Sequence, residues 1–258
     1  MSALKNWLFR SKLTTRRCSR SARFQYRFAC LLLFCPATAL AAHAVSQGTC
    51  ETPLIAAIHH RDFAQVKKII DSRQDLDAKG CEGGSTPLIE SIALNEPEVT
   101  ERLVLSGANP NLSDGKHDSP LTVAAWYCRL ETVPLLLAHG AEVNAVDVDG
   151  YSALMNSVQN CDDGRVSALL LGCGAKINAT TRRGDTALTI AAFYGNEHVV
   201  HVLVGAGADL NTKTKNGETA LTIARDRDVG RKSSHDRIYE FLLQVSRLDA
   251  TQKAHPNQ

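Results

Sequence analysis

Apolar residues recur along most of this chain at spacings that predict pairs of short helices. In the segment 186–211 they form two groups at helical spacing, Leu188, Ala191 and Ala192, then Val199, Val200, Leu203 and Val204. Thr186 stands where a side-chain oxygen caps the first helix, and Gly195 interrupts that helix. Gly207 ends the second helix in the left-handed conformation that glycine adopts freely. The segment is therefore predicted to form a helix, a turn and an antiparallel helix.

The same unit occurs six times, so a stack of helix pairs is predicted. The units open at Thr52, Thr86, Ser119, Ser152, Thr186 and Thr219, with spacings of 34, 33, 33, 34 and 33 residues. One helix pair cannot bury its apolar face alone, and about three adjacent units are needed for stability. We therefore expect an all-α fold of six helix-turn-helix layers, in which nearly all contacts join neighbouring layers.

Three short motifs inside the unit resemble a known repeat family. The first two units open with Thr52-Pro53-Leu54 and Thr86-Pro87-Leu88. An alanine pair such as Ala191-Ala192 follows, and a Gly-Ala pair such as Gly207-Ala208 stands near the end of the unit. With the fixed period, these motifs resemble the ankyrin family over about four-fifths of the chain. The resemblance implies an ankyrin-repeat solenoid with hairpin-like loops and a concave groove that binds partner proteins.

Departures from the motifs mark the irregular layers. Arg73-Gln74 replaces Gly-Ala in the first unit, and the charged stretch 225–236 indicates a lengthened turn in a C-terminal capping layer. Pro134 is expected to bend or locally unlock the second helix of the third unit. The fourth unit holds one extra residue between Cys161 and Gly174. The predicted organisation is a signal peptide over 1–44, a repeat domain over 45–246 and a polar tail over 247–258.

The first 50 residues differ in composition from the rest of the chain and predict an export signal. They hold eight Lys or Arg, all between Lys5 and Arg27, and no Asp or Glu. An apolar run follows over 28–42, and Ala39-Leu40-Ala41 or Ala42-His43-Ala44 provides a small-residue cleavage region. The leader therefore predicts a bacterial-type protein that is periplasmic or secreted.

Three other interpretations of this leader are open. An Arg-rich leader without acids is also typical of a mitochondrial transit peptide. An uncleaved leader would anchor the chain in a membrane, but the apolar run of about 15 residues is shorter than the ~20 that a spanning helix needs. Arg16-Arg17 lacks the apolar residues that follow a twin-arginine signal. We expect membrane contact only through an uncleaved leader.

Removal of the leader changes the sign of the net charge. The whole chain carries 29 basic and 27 acidic residues, a formal charge of +2. Loss of the eight basic residues in the leader leaves 21 basic residues against 27 acids, a charge of −6. Because phosphate backbones bind positive surfaces, nucleic-acid binding is not expected.

The cysteines offer one candidate disulfide. Cys50 and Cys81 flank the first unit in loops that can adjust, and an exported chain would allow them to be oxidised. Cys128 and Cys161 occupy the same position in successive units, where stacked helices place equivalent points about 10 Å apart. Bridged Cα atoms lie at about 4.4–6.8 Å. Free thiols are the alternative for both pairs, and this geometry favours them for the second pair.

No motif for catalysis or cofactor binding appears. There is no Gly-rich phosphate loop, nucleophile elbow or Cys-x-x-Cys. His198 and His201 lie three residues apart on a helix without a third metal ligand at a fitting spacing. His59 and His60 are interpreted as the exposed end of a first helix. Because the repeats leave no stretch long enough for a catalytic domain, we expect no enzyme activity, metal, cofactor or small-molecule substrate.

The ankyrin resemblance places a partner-binding surface at the inward ends of the first helices and at the loop tips. Trp126-Tyr127 and Phe193-Tyr194 fall at the same inward position, two units apart. In a chain with 5% aromatic residues this clustering favours an interface, because aromatic anchors dominate binding energy. Padding between layers is the alternative. The loop-tip candidates form a row of mixed charge: Lys116, Asp149, Tyr151, Arg182, Arg183 and Lys215.

Together these features predict a non-catalytic module that binds a partner protein in its groove, in the cell envelope. An inhibitor or accessory subunit of an envelope enzyme or toxin is one form of this prediction. A secreted effector that acts on proteins of another cell would use the same groove. An enzyme subunit with a site on the solenoid is a third hypothesis, which a bound metal or turnover would support.

Overall fold

Twelve helices form the part of the chain that the structure describes. The computed structural model describes residues 51–72, 75–80, 84–115, 118–161, 163–226 and 233–254 of 258. Its helices are α1 Pro53–His59, α2 Phe63–Asp71, α3 Pro87–Ala93, α4 Pro97–Leu105, α5 Pro120–Trp126, α6 Thr132–Ala138, α7 Ala153–Asn160, α8 Arg165–Gly172, α9 Ala187–Tyr194, α10 Glu197–Gly205, α11 Ala220–Asp226 and α12 Ser234–Ala254. Among these residues no strand forms, and Val146 and Ser152 make an isolated antiparallel bridge. The predicted all-α solenoid of six layers is confirmed.

The first helix of each regular layer begins at the predicted Ser or Thr. The Thr52 hydroxyl oxygen accepts a hydrogen bond from the Ile55 N–H at 3.3 Å, and Thr86, Ser119 and Ser152 cap their helices in the same way. Thr186 accepts from the Thr189 N–H at 3.2 Å. The Thr189 side chain accepts from the Thr186 N–H in return, which completes a capping box. The predicted cap at Thr186 is confirmed.

The core runs continuously through the stack because first helices pack on first helices and second helices on second helices of the next layer. The alanine pairs of layers three and five have no exposed surface: Ala124, Ala125, Ala191 and Ala192. Their small side chains let adjacent first helices approach closely. One leucine in each second helix from layer two to layer five is likewise fully buried: Leu103, Leu136, Leu170 and Leu203.

Layers two and four replace the alanine pair with residues that carry buried hydroxyls. Ser91 has no exposed surface, donates to the Leu88 carbonyl at 2.8 Å and lies 2.9 Å from the Thr100 hydroxyl oxygen. In layer four the hydroxyl oxygens of Ser157 and Ser167 are 2.8 Å apart. Each buried hydroxyl therefore has a partner within its own layer, so the small serine replaces alanine without an unsatisfied polar atom.

Side chains in the loops after the second helices bind the backbone of the next layer. The Asn111 Oδ1 accepts from the Glu142 N–H at 2.8 Å, and the Asn144 Oδ1 accepts from the Lys176 N–H at 2.8 Å. Asp77 and Asn178 make the equivalent bonds one layer before and one layer after these two. This row of side chains fixes the separation of neighbouring layers on the side of the loops.

The structure locates two irregular features of the predicted layers. Counted from the opening residue of its unit, the helix α6 begins two residues later than α2, α4 and α10, so Pro134 lies in its first turn, where the missing N–H costs no hydrogen bond. The residues just before Thr132 are outside the helix, in agreement with local unlocking at Pro134, and no bend of α6 is needed. The extra residue of layer four falls between α7 and α8, because α8 ends at the same distance from the following unit as its counterparts.

The C-terminal layer closes the stack with a long helix. Ile238 and Leu242 of α12 are buried, and α12 packs against both α10 and α11. The helix continues to Ala254, beyond the boundary at 246 that the sequence predicts for the repeat domain.

No helix among the described residues is long and apolar enough to cross a bilayer. The leader with its apolar run lies outside these residues, so its export signal stays a prediction.

Candidate partner-binding groove

The two aromatic pairs lie at the ends of α5 and α9, two layers apart from each other. Tyr194 is 40% exposed, whereas Trp126, Tyr127 and Phe193 are half-buried. The rings of Phe193 and Tyr194 meet edge to face with centroids 5.3 Å apart. The aromatic surface is thus partly open to solvent and partly packed against the layers, which leaves its predicted binding role open.

Polar side chains of the intervening layer four join the two aromatic pairs. The Tyr194 hydroxyl donates to the Gln159 Oε1 at 3.2 Å. The Asn160 Nδ2 donates to the Trp126 carbonyl oxygen at 3.1 Å. These contacts hold the ends of three successive first helices together, so the groove floor is fixed before any partner binds.

Arg129 makes the corresponding contact between layers two and three. Its guanidinium donates to the Ile92 and Ala93 carbonyl oxygens, each at 3.1 Å, and so satisfies acceptors at the end of α3. It also lies 5.3 Å from the centre of the Tyr127 ring. Burial raises the pKa of Tyr127 to about 12, so its hydroxyl stays neutral. The position of Arg129, just after the turn in its layer, carries no motif that would have revealed this role.

The structure forms a disulfide that the sequence argument disfavoured. Cys128 and Cys161 are bonded, with their Cα atoms 5.6 Å apart. The estimate of 10 Å applies to residues within helix bodies, whereas both cysteines lie just past the ends of α5 and α7. Cys128 has a φ of +57°, but the longer α7 leaves Cys161 extended with a φ of −102°. This difference in backbone conformation brings the two positions within bonding range.

Of the other cysteines, Cys173 is an exposed free thiol. The candidate pair Cys50 and Cys81 lies outside the described residues, as does Lys116.

The loop tips, defined as residues 147–151, 181–185 and 214–218, are turns closed by their own first side chains. The Asp147 Oδ1 accepts from the Asp149 N–H at 2.9 Å and from the Tyr151 N–H at 2.8 Å. The hydroxyls of Thr181 and Thr214 accept from backbone N–H groups in the same way. The predicted tip residues Asp149 and Tyr151 are half-buried as a result, while Arg182, Arg183 and Lys215 are exposed.

Backbone hydrogen bonds connect these tips into one row. The Arg182 N–H donates to the Asp149 carbonyl oxygen, and the Lys215 N–H donates to the Arg183 carbonyl oxygen, each at 2.9 Å. Gly184 has a φ of +77°, and a Cβ at this position would lie 3.1 Å from the Lys215 nitrogen. Glycine therefore supplies both the turn conformation and the space that the neighbouring tip occupies.

His59 joins the first two layers at the inward end of α1. Its Nδ1 lies 3.2 Å from the Glu51 Oε1, and its Nε2 lies 3.2 Å from the Glu90 Oε2. Only the protonated ring donates to both carboxylates. The hydrogen bond to Glu90 raises the pKa of His59 above 6.5, an effect that the charge of Glu51 reinforces and burial opposes. The sequence pattern predicts an exposed helix end at His59, whereas its side chain is 17% exposed and paired.

Metal binding finds no support in the described residues, where no three His, Cys, Asp or Glu side chains converge as a metal would require. His201 instead lies against Phe241 of α12, with ring centres 4.0 Å apart.

Comparison with known proteins identifies the repeats. A family model described as ankyrin repeats (3 copies) matches residues 91–180 and 154–253. Human ankyrin repeat and SOCS box protein 6 is 37% identical over 121 residues, which are 44% of this chain and 29% of that protein. Mouse ankyrin repeat domain-containing protein 63 is 31% identical over 138 residues, or 50% of this chain and 33% of that protein.

A third relative carries the name of an enzyme. The zebrafish protein named for the palmitoyltransferase ZDHHC13 is 31% identical over 148 residues, which are 57% of this chain and 23% of that protein. The matching part is the repeat region, and ankyrin repeats as a family are generally non-catalytic. This chain thus matches between 23% and 33% of the length of these relatives. All three are vertebrate proteins, so they give no support to a bacterial-type origin.

The disulfide predicts a measurable stabilisation. Replacing both Cys128 and Cys161 with Ser should lower the free energy of unfolding by about 2–4 kcal/mol, because the bridge links residues 33 positions apart. Urea unfolding followed by circular dichroism measures the change. Reductant should shift the wild-type midpoint to that of the double variant and leave the double variant unchanged. Cys173→Ser is the matched control, and a wild-type midpoint insensitive to reductant would contradict the bridge.

The His59 contacts predict a pH-dependent contribution to stability. A pKa raised on folding gives stabilisation that is complete below pH 6.5 and is lost as pH rises through the folded-state pKa. The stability difference between wild type and His59→Gln should therefore fall by on the order of 1 kcal/mol between pH 5.5 and pH 8.5. Thermal unfolding across that range measures it. The control is His60→Gln at the neighbouring, exposed position. A stability difference between wild type and His59→Gln that grew with pH would contradict the raised pKa of His59.

Proposed function

This chain belongs to the ankyrin-repeat family, and we propose that it is a non-catalytic module that holds a partner protein against the ends of its first helices. The observation that carries the proposal is the aromatic surface of α5 and α9. Trp126 and Tyr194 present partly open rings on a floor that Gln159 and Asn160 tie together. Aromatic side chains on a rigid surface are the usual anchors of protein interfaces.

The arrangement of the groove suits protein recognition better than capture of a small molecule. Ligand sites are generally enclosed cavities that bury most of the ligand. Here the aromatic pairs lie in layers three and five, and backbone bonds join the loop tips of successive layers, so the surface is extended rather than enclosed. A partner that contacts several layers would bury enough area for a stable interface.

We further propose that the mature chain acts in an oxidising compartment, as a periplasmic or secreted protein. Two features support this location. The first is the basic, acid-free leader followed by an apolar run. The second is the disulfide between Cys128 and Cys161, a bond that persists in exported proteins and is rare in reducing compartments. An inhibitor or accessory subunit of an envelope enzyme or toxin is the form of partner binding that fits this location.

The aromatic surface is tested by a variant that leaves the packing of the layers intact. Trp126→Ala with Tyr194→Ala should weaken partner capture by about tenfold or more, because interface anchors each contribute about 2 kcal/mol or more. Affinity purification from the native source, with quantitative mass spectrometry, measures the partner recovered by each variant. Tyr127 and Phe193 are left in place because both pack against the core.

The control is Phe63→Ala, since Phe63 is 50% exposed at the start of α2. Capture should match wild type for this variant, and circular dichroism should show that both variants keep their helices. Equal capture by the Trp126/Tyr194 variant and by wild type would remove the proposed groove.

A further inference from the structure

We infer that the groove takes a partner segment with acidic residues next to an apolar anchor. The inference rests on the proposed function and specifies the chemistry of the partner. Four basic residues at or directly before the last two loop tips carry it: Arg182, Arg183, Lys213 and Lys215, which we call the basic tips. All four are exposed, and none makes an ion pair with another residue that the structure describes.

The acids in the same loops are placed differently from the bases. The Asp147 carboxylate accepts two backbone N–H groups of its own turn, and the Asp185 carboxylate accepts from the Thr181 hydroxyl at 3.2 Å. Asp147, Asp185 and Glu218 are all half-buried. The sequence predicts a row of mixed charge here, and the structure pairs the carboxylates of Asp147 and Asp185 with groups of their own turns. The surface offered to a partner at the last two tips is therefore basic.

The basic tips are held in a defined arrangement. The Lys215 N–H donates to the Arg183 carbonyl oxygen, so two of the basic residues lie on directly bonded backbones. The space that Gly184 leaves open allows this approach. Positive charges fixed close together attract an acidic segment without an ordering cost for the backbone that carries them.

The aromatic pair of layer five lies at the opposite end of the helix that follows these tips. Asp185 lies just before α9, and Phe193 and Tyr194 lie at its end. The eight residues of α9, at a helical rise of about 1.5 Å each, therefore separate the two regions by about 12 Å. An extended peptide covers this distance in about four residues at ~3.3 Å each. A matching partner would therefore place an apolar anchor about four residues from its acidic group.

Charge along the groove favours an acidic protein segment over nucleic acid. Among the described loop residues, exposed basic side chains cluster at the last two tips, whereas the loop after α2 holds Lys79 alone and the tip before Arg182 carries Asp147 and Asp149. A phosphate backbone carries regular charge along its whole length and binds a continuous positive track. A short acidic cluster attached to an apolar anchor matches this local positive surface.

The test uses a phage-displayed library of randomised 12-residue peptides, selected against the full chain. The tip variant combines Arg182→Glu, Arg183→Glu, Lys213→Glu and Lys215→Glu. The control variant makes the same change in net charge at exposed positions away from the tips: Lys67→Glu, Lys68→Glu, Lys176→Glu and Arg247→Glu. Circular dichroism verifies that each variant is folded. Selected peptides are then measured against each variant by fluorescence anisotropy.

Peptides selected on the wild-type chain should be enriched in Asp and Glu and bind the control variant equally well. Their affinity for the tip variant should fall by about tenfold or more, and it should weaken as salt is raised. Peptides that require Trp126 and Tyr194 but show no acid enrichment would overturn this inference and leave the proposed groove intact. Acid-rich peptides that bind the tip variant as well as wild type would also overturn it.

Two other outcomes are decisive. Failure to select any peptide that depends on Trp126 and Tyr194 would contradict the proposed groove and, with it, this inference. A single-stranded oligonucleotide is also measured against the wild-type chain and the tip variant. If it binds more tightly than the selected peptides and depends equally on the basic tips, the ligand is a polyanion and the acidic protein segment is contradicted.

Discussion

Each helix pair of this protein buries its apolar face only against the next pair, and the other properties of the structure depend on this constraint. It requires small residues where first helices meet, which explains why Ala124, Ala125, Ala191 and Ala192 have no exposed surface. It also aligns the ends of successive first helices and successive loops. A continuous surface of helix ends and tips is therefore a direct product of the packing that stabilises the chain.

The regular part of this architecture could be predicted from the sequence because it is local and repeated. Each unit has a Ser or Thr cap and an alanine pair or its replacement, and the second to fifth units have a glycine after the second helix. These signals act within a few residues, so they predict each helix pair, and their regular spacing predicts six layers. Departures that depend on several residues at once were harder to place. Pro134 lies in the first turn of a helix that starts late, and the extra residue of layer four falls in the turn between α7 and α8 that holds Cys161.

The candidate site could be predicted only in part. Register alone placed Trp126 and Tyr194 at inward helix ends, but it could not give the exposure of their rings. The disulfide was missed because a helix-to-helix spacing does not describe cysteines in turns, where φ differs between Cys128 and Cys161. The hydrogen bonds made by Arg129 and Asn160 join residues more than 30 positions apart, so no local motif predicts them. The balance of charge at the loop tips also needed the structure, since the carboxylates of Asp147 and Asp185 bind groups of their own turns.

The most direct test of the account asks which face of the stack touches the partner. A photo-crosslinking amino acid is placed at position 194 in one variant and at position 63 in another, in cells that make the protein naturally. Both positions are exposed, one at the end of α9 and one on the outer helix α2. We expect a crosslinked adduct from position 194 and none from position 63. An adduct from position 63 alone would show that the partner binds the outer helices, and it would contradict the groove.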